Sequence, residues 1–278
     1  MAPTWYLGPA GQLQALSCPE TNIQMSKVRY GGVHRSISGA ATVDVTGLKA
    51  EYQLAWNWVE ESEVRALEAM HDRIVPGPFW LIDPTRRNRL STQATKLHYL
   101  ALTYPGVRVS GGGLDYVKEW PTDAGLGTRC LRWTDQPASD HQLVFDYGKW
   151  VPVIPGETLT GSVYVKGGGS LTVRMAWTDS AGVDLGTDAS SSYTATSSWT
   201  RYTVSGTVPT GAALVKFEIA RGSDAVDDID VAAPQLEVGS QATDFQTGGG
   251  APLVHIDQLE RTSPLYPYYN VSMTLLEA

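Results

Sequence analysis

Between Trp199 and Glu237 the chain repeats a two-residue rhythm three times. Thr200, Tyr202 and Val204 alternate with Arg201, Thr203 and Ser205; Val215, Phe217 and Ile219 alternate with Lys216 and Glu218; Ile229 and Val231 alternate with Asp228 and Asp230. Pro209-Thr210-Gly211 and Arg221-Gly222-Ser223-Asp224 punctuate the runs. Alternation bounded by turn residues predicts strands with one buried face. Shorter runs of the same kind precede them at Leu97–Leu102, Thr128–Trp133, Leu143–Tyr147, Thr158–Lys166 and Leu171–Thr178. Turn clusters return every 8–12 residues or so, as an all-β sandwich requires. Gly111–Gly113, Gly167–Ser170 and the Ser/Thr-rich stretch 187–198 read as hairpins or loops.

The beginning of the chain has a different texture. Strands with turns at Gly8-Pro9, Gly31-Gly32 and Gly47 lead into one helix. Ser62 is a candidate N-cap, Glu60 and Glu61 lead into it, and Glu63 lies in its first turn, where the helix dipole favours anions. Val64, Leu67, Met70 and Ile74 fall on one helical face, and Pro76-Gly77-Pro78 is a stop signal. A buried strand Phe79–Ile82 follows. The basic run Thr85–Leu90 suits either phosphate or, as a short charge run, a solvated or subunit-facing loop. Near the end, Gly248-Gly249-Gly250 reads as a hinge before the strands Leu253–Leu259 and Tyr268–Leu276. A tail of 28 residues cannot form its own core. It must complete the N-terminal segment, so residues 1–94 and 251–278 are expected to form one domain, with 95–250 inserted into it.

Composition supports the β reading: Gly and Pro together make about a sixth of the chain (28 + 16 of 278). A formal net charge of −8 lacks the basic stripe that general nucleic-acid binding needs. No apolar run approaches the ~20 residues of a membrane-spanning helix. The N-terminus lacks the basic and apolar regions of a signal peptide, so synthesis in the cytoplasm without membrane insertion is expected. Cys18 and Cys130 are expected as free, mostly buried thiols. The five histidines are scattered, with no H-E-x-x-H or G-x-S-x-G pattern, and no catalytic constellation can be named.

Two resemblances add to these readings. The segment from Thr158 to Glu237, with LTGSVYVKG, LTVRMAWTDSAG, a Trp199-initiated strand, the Pro209–Ala212 turn and the acidic Asp227–Val231 strand, resembles jelly-roll carbohydrate-binding modules. The two ends resemble distal tail or minor tail proteins of tailed bacteriophages. That likeness rests on YQLAWNWVEESEVRALEAMHDRI, on PGPFWLIDPTRRNRLS at Pro76–Ser91, on the junction PQLEVGSQATDF at Pro234–Phe245 and on the closing NVSMTLLEA. It implies a mainly β fold in which a tail-tube-like β-sandwich domain with one helix is split by an inserted jelly-roll sandwich. It also implies a non-enzymatic structural subunit at the virion tail tip. Its partners would be a homo-oligomeric ring (hexamer or trimer), tail tube and tail hub proteins, and host-surface polysaccharide. A stand-alone carbohydrate-binding protein and a glycan-cleaving enzyme are the alternatives.

Alternation also assigns a candidate glycan face. If Val163, Val165, Val173, Met175, Val215 and Phe217 face a core, then Tyr164, Lys166, Arg174, Lys216 and Glu218 face away from it. Such side chains supply ring stacking and hydrogen bonds to sugar hydroxyls, and they equally describe an ordinary solvated sheet face. Trp120 and Trp150, with Tyr116, Trp133 and Tyr147, lie near loops or strand ends, where they are either ligand platforms or core. Trp177 and Trp199 are assigned to core. Asp224, Asp227, Asp228 and Asp230 cluster near one turn. The resembled modules often carry a structural calcium, which these acids would hold, although their spacing is not that of an EF-hand. No other cofactor is expected.

Overall fold

The computed structural model describes residues 4–19, 23–44, 47–97, 106–110, 113–117, 130–134, 141–221 and 228–278. In chain order the elements begin β1 (Trp5–Gly8), β2 (Gln14–Leu16), β3 (Gln24–Tyr30), β4 (Val33–Arg35), β5 (Ala41–Val43), β6 (Gly47–Glu60), α1 (Glu61–His71) and β7 (Phe79–Ile82). They continue α2 (Thr92–Thr95), β8 (Val107–Ser110), β9 (Gly113–Val117), β10 (Cys130–Thr134), β11 (Gln142–Phe145), β12 (Val151–Pro152), β13 (Thr158–Gly167) and β14 (Ser170–Thr178). The last are β15 (Asp184–Thr194), β16 (Thr200–Thr207), β17 (Leu214–Arg221), β18 (Ile229–Val238), β19 (Leu253–Leu265) and β20 (Tyr268–Glu277). The chain is mainly β and divides into two compact units. A split unit takes Met1–Pro9, Leu13–Leu81 and Pro252–Ala278; an inserted unit takes Ala10–Gln12 and Ile82–Ala251.

The split unit is one seven-stranded sheet, in the order β2-β1-β7-β19-β20-β6-β3, with α1 and a separate β4–β5 hairpin. The C-terminal strands sit in the middle of this sheet: β20 pairs with β6 along nearly its whole length, and β19 pairs with β7. Val64, Leu67 and Met70 of α1 share a core with Trp5, Tyr52, Leu54, Trp56 and Met273. The helix starts two residues earlier than a Ser62 cap would set it, with Glu60 in the extended N-cap position and no side-chain cap bond. It also stops short of Pro76, at His71, where Arg73 at φ +60° turns the chain and leaves Ile74 exposed.

The inserted unit is a two-sheet sandwich. A five-stranded sheet (β16-β13-β18-β10-β9) faces a six-stranded one (β15-β14-β17-β11-β8, with β12 on β17). Val163, Val165, Leu131, Trp133 and Val231 from the first sheet meet Val173, Met175, Phe217 and Phe145 from the second in one core. Phe145 and Phe217 stack at 5.2 Å, and Gly161 passes so close that a Cβ there would lie 2.5 Å from the Phe217 ring. Two expectations change. Most of the Ser/Thr-rich stretch, residues 187–194, belongs to an eleven-residue strand, β15, paired antiparallel along β14, while 195–198 are irregular. The closing strand runs on to Val238 through Pro234, by way of Ala233 at φ +49° and a register shift against β13. Leu97 packs in the core after α2 rather than opening a strand, and most of Leu97–Leu102 lies outside the described residues.

The boundary falls at Ile82 rather than after residue 94, because Ile82–Thr95 fastens the inserted unit. Leu90 and Ala94 belong to the sandwich core. Arg89 is buried and donates to both carboxylate oxygens of Glu157, at 2.5 and 2.8 Å. Asn88, fully buried, donates to the Pro234 and Gln246 carbonyls and accepts from the Leu236 and Leu90 amides. The basic run is therefore neither a phosphate site nor a solvated loop at Arg89, although Arg87 is exposed. Nor is the glycine triplet a hinge. Gly249 and Gly250 donate to the Leu90 and Asn88 carbonyls, the Asp83 amide donates to Gly250, and Arg86 and Thr92 donate to the Gly248 carbonyl. Backbone meets backbone there with no room for a side chain: a Cβ on Gly248 would overlap the Leu90 oxygen, and one on Gly250 would lie 2.6 Å from the Arg86 oxygen. Gly250→Ala is expected to lower stability by about 1–3 kcal/mol, as overpacking does. Gly156→Ala, at a glycine with nothing within 4 Å, serves as the comparison for the strain of its positive φ alone. Thermal unfolding of both variants checks this.

A buried carboxyl completes the fastening. Asp146 accepts from the Ser91 amide at 2.7 Å and from its hydroxyl, while Ser91 caps α2 by accepting from the Ala94 amide. Burial pushes the Asp146 carboxyl up from 3.8 to about 6, against the opposing hydrogen bonds from Ser91 and the charge of Lys149. Because the folded chain holds this proton more tightly than the unfolded chain, the stability it contributes is greatest at low pH. It is lost as pH rises from about 4 to about 6. Asp146→Asn should flatten that part of the stability–pH curve, measured by denaturant unfolding across the interval.

Candidate functional site

A sandwich has two outer faces, and the candidate glycan residues divide between them. Tyr164 and Lys166 lie on β13, in the five-stranded sheet; Arg174, Lys216 and Glu218 lie on β14 and β17, in the six-stranded sheet. The hydrophobic core separates the two groups, so they do not form the single face expected. Alternation sorted inward from outward correctly but carried no information about which sheet each strand joins.

The outer face of the five-stranded sheet is covered by the chain itself. Thr160, Ser162, Gln235 and Glu237 point away from the core yet are buried. The segment 239–250 lies over them as a strap. The Thr243 amide and hydroxyl donate to the two oxygens of Glu237, at 2.8 and 2.6 Å, and the Gln246 amide donates to Gln235. Arg201 reaches from β16 to the Thr243 carbonyl and to Ser162. Phe245 and Trp199 pack on Tyr164, Ala232 and Ala233, and the Arg201 guanidinium stands 5.5 Å over the Tyr164 ring. Tyr164 is thus a structural ring, and Trp199 anchors this outer cluster rather than the main core.

The outer face of the six-stranded sheet is built differently. Strand register places Ser190, Arg174, Glu218, Val144 and Arg108 in one row across β15, β14, β17, β11 and β8. Glu218 is fully buried between two cations. The Arg174 guanidinium donates to its Oε1, with Nε at 2.5 Å. The Lys216 ammonium sits 2.6 Å from Oε2 but off the direction of a hydrogen bond, leaving that oxygen without an aligned donor. Lys216 also donates to Gln142 at 3.2 Å, and Arg174 extends to Asp188 at 3.6 Å. Beside the row, Arg108 stacks 4.2 Å over the Tyr147 ring. Among the described residues, the hydrogen bonds on this face run between neighbouring strands rather than to a covering segment. Chemically it is a rigid array of donors and acceptors next to an aromatic ring. Gln142, Asp188 and Arg108 were not among the sequence candidates, although Gln142 and Arg108 occupy the same alternating positions on β11 and β8 that singled out Arg174.

The other candidates separate from this array. Trp133 is fully buried in the core. Trp150 is half-buried, its ring edge against Gly182 and its indole nitrogen buried without a partner among the described residues. Trp120, Asp224 and Asp227 lie outside the described residues. Asp230 accepts from Arg132 with both oxygens, at 2.7 and 3.0 Å. Asp228 is exposed. Among the described residues no group of three or more His, Cys, Asp or Glu is placed to hold a metal ion. Cys130 is buried, whereas Cys18 is exposed, contrary to expectation.

No protein-family model matches the sequence, and no curated protein does. Part of the chain is similar to solved structures. One is the enzymatically active domain of bacteriophage CBA120 tailspike protein 4 (12% identity, 55% of this chain and 21% of that one, TM-score 0.45). Another is the CBM22-1 xylan-binding domain of Paenibacillus barcinonensis Xyn10C (17%, 55% and 94%, TM-score 0.39). A third is TmCBM61, solved with β-1,4-galactotriose (15%, 55% and 99%, TM-score 0.38). The chain thus spans about a fifth of the tailspike chain's length. At these identities and scores, function has to be argued from the residues.

Removing the buried acid tests the array. Glu218→Ala removes the carboxylate between Arg174 and Lys216, leaving Asp188 as the acid beside Arg174, and is expected to destabilise the protein by about 2 kcal/mol, whereas Glu218→Gln should cost less. Denaturant unfolding of the two variants gives the comparison.

Proposed function

We propose that this protein is a non-catalytic carbohydrate-binding protein whose ligand lies along the outer face of the six-stranded sheet, over Arg174, Glu218, Lys216 and Gln142. One observation carries the reading. Of the two outer faces, one is covered by the strap at 239–250, and the other presents a strand-held Arg–Glu–Lys–Gln array with a Tyr ring at its side. Cations and amides in fixed positions bind sugar hydroxyls, and the unaligned Oε2 of Glu218 accepts a hydroxyl proton when Lys216 turns aside. The sequence likeness of Thr158–Glu237 to carbohydrate-binding modules agrees with this. No step of bond cleavage is assigned.

A second reading makes the same chain a structural subunit at a phage-like tail tip, joined to its own copies and to tube and hub proteins, with the inserted unit touching host polysaccharide. What supports it is the split unit, which exposes large apolar side chains at both ends of its longest strand, β6. Repetition in such an assembly would raise weak glycan binding by avidity of roughly 10²–10⁴.

Glycan-array screening of the full chain, followed by calorimetry on the best ligand, tests the first reading. Arg174→Ala and Lys216→Ala should each weaken binding by about tenfold or more, while Tyr164→Ala leaves affinity unchanged in protein that remains folded. Binding that depends on Tyr164 and ignores Arg174 would move the site to the other sheet. No binding to any glycan or host envelope fraction would overturn the reading.

A further inference from the structure

The outer face of the six-stranded sheet sorts its charge by depth. On β14, β17, β11 and β8 the charged residues turned outward are Arg174, Lys216, Glu218 and Arg108. The one acid among them lies at the bottom: Glu218 is fully buried, and Val144 and Ala176 on the same face are buried as well. The cations rise above that floor. The Arg174 side chain is 30% exposed, that of Lys216 is 22% exposed, and Arg108 is exposed. A ligand approaching these strands therefore meets positive charge before it meets Glu218.

The charges also fail to cancel. Two cations share the single negative charge of Glu218, Arg174 at Oε1 and Lys216 at Oε2. Asp188 stands on the edge strand β15, exposed and 3.6 Å from Arg174, where water screens the pair. Asp184, further along that edge, accepts from the Gly186 amide. Across Arg108, Lys216, Arg174, Glu218 and Asp188 one positive charge is left over, in a chain whose acids outnumber its bases 29 to 21. A neutral sugar would have to displace water from these cations with dipoles alone. An anionic substituent replaces that hydration with charge-assisted hydrogen bonds, roughly twice as strong as neutral ones.

The spacing suits a chain of sugars. Arg174 and Lys216 are held at opposite oxygens of the same carboxylate, so one anionic group above Glu218 reaches both. Arg108 lies three strands along the same row, roughly 14 Å away at about 4.8 Å per strand, with its guanidinium 4.2 Å over the Tyr147 ring. A saccharide crossing the strands meets a second cation there, beside an aromatic ring. We propose that the ligand of this face is an acidic polysaccharide, which rests on the carbohydrate reading and narrows it to sugars bearing anionic groups. One such group lies over Arg174 and Lys216, and the chain runs across the strands towards Arg108 and Tyr147.

Calorimetry of the full chain tests this with polygalacturonate, polymannuronate and hyaluronan, each beside its carboxyl-reduced form, and with dextran sulfate beside dextran. At least one acidic polymer should bind about tenfold or more tighter than its neutral partner, and the contrast should shrink as salt rises from about 50 to about 500 mM. The pair that shows the contrast distinguishes carboxylate from sulfate as the anion. Lys216→Gln keeps Glu218 bonded to Arg174, and Arg108→Gln changes an exposed side chain, so both should keep the unfolding temperature. Lys216→Gln should reduce the contrast by about fivefold or more, and Arg108→Gln by less. Equal binding of acidic and neutral partners would overturn this proposal and leave the carbohydrate reading standing. A contrast that survives both substitutions would place the anion elsewhere on the chain and overturn it too. No binding of any polymer, in either form or on the glycan array, would overturn both.

Discussion

A β-sandwich must do something with two outer faces, and here the chain uses its own exit segment to close one of them. Glu237, held by both donors of Thr243, is the centre of that closure. Burying a carboxylate on a sheet face costs free energy unless its lone pairs are met, and the strap meets those of Glu237 while laying Phe245 over Tyr164. Once that face is filled, the position of every remaining polar group acquires meaning. The six-stranded sheet keeps its charges between its own strands, Arg174 to Glu218 to Lys216 to Gln142, with Glu218 buried and the two cations partly exposed.

The same strap explains how an insertion of this size is held. After Gln246 the chain runs against residues 86–95 through three glycines, of which Gly248 and Gly250 lie so close to the facing carbonyls that a Cβ would displace one. Arg89 with Glu157, Asn88 with Pro234, and Ser91 with Asp146 tie the incoming segment to three different parts of the sandwich. In the split unit the Leu81 amide likewise donates to the Pro252 carbonyl. Where the chain leaves one unit and returns to it, the two segments run side by side.

Much of this was legible in the sequence, and the failures have physical causes. Period-2 alternation located β13, β14 and β17 and sorted core from outer positions, because each side chain's direction is a local property. Sheet membership is not local, so Tyr164 and Arg174 were placed on one face when they lie on two. The basic run was read as a surface because its partners, Glu157 and Pro234, lie 68 and 146 residues further along. Glycine triplets signal either freedom or close approach, and only the neighbouring backbone decides between them. The Ser/Thr-rich strand β15 lacked the apolar half of the pattern because almost all of its length is exposed.

The central claim is that the outer face of the six-stranded sheet, and not that of the five-stranded one, receives the ligand. Hydrogen–deuterium exchange of the full chain with and without a bound oligosaccharide tests it most directly. The account expects new protection in residues 170–178 and 214–221, with residues 158–167 and 200–207 unchanged. Protection confined to the latter two strands, or a strap at 239–250 that loses protection when sugar binds, would contradict it.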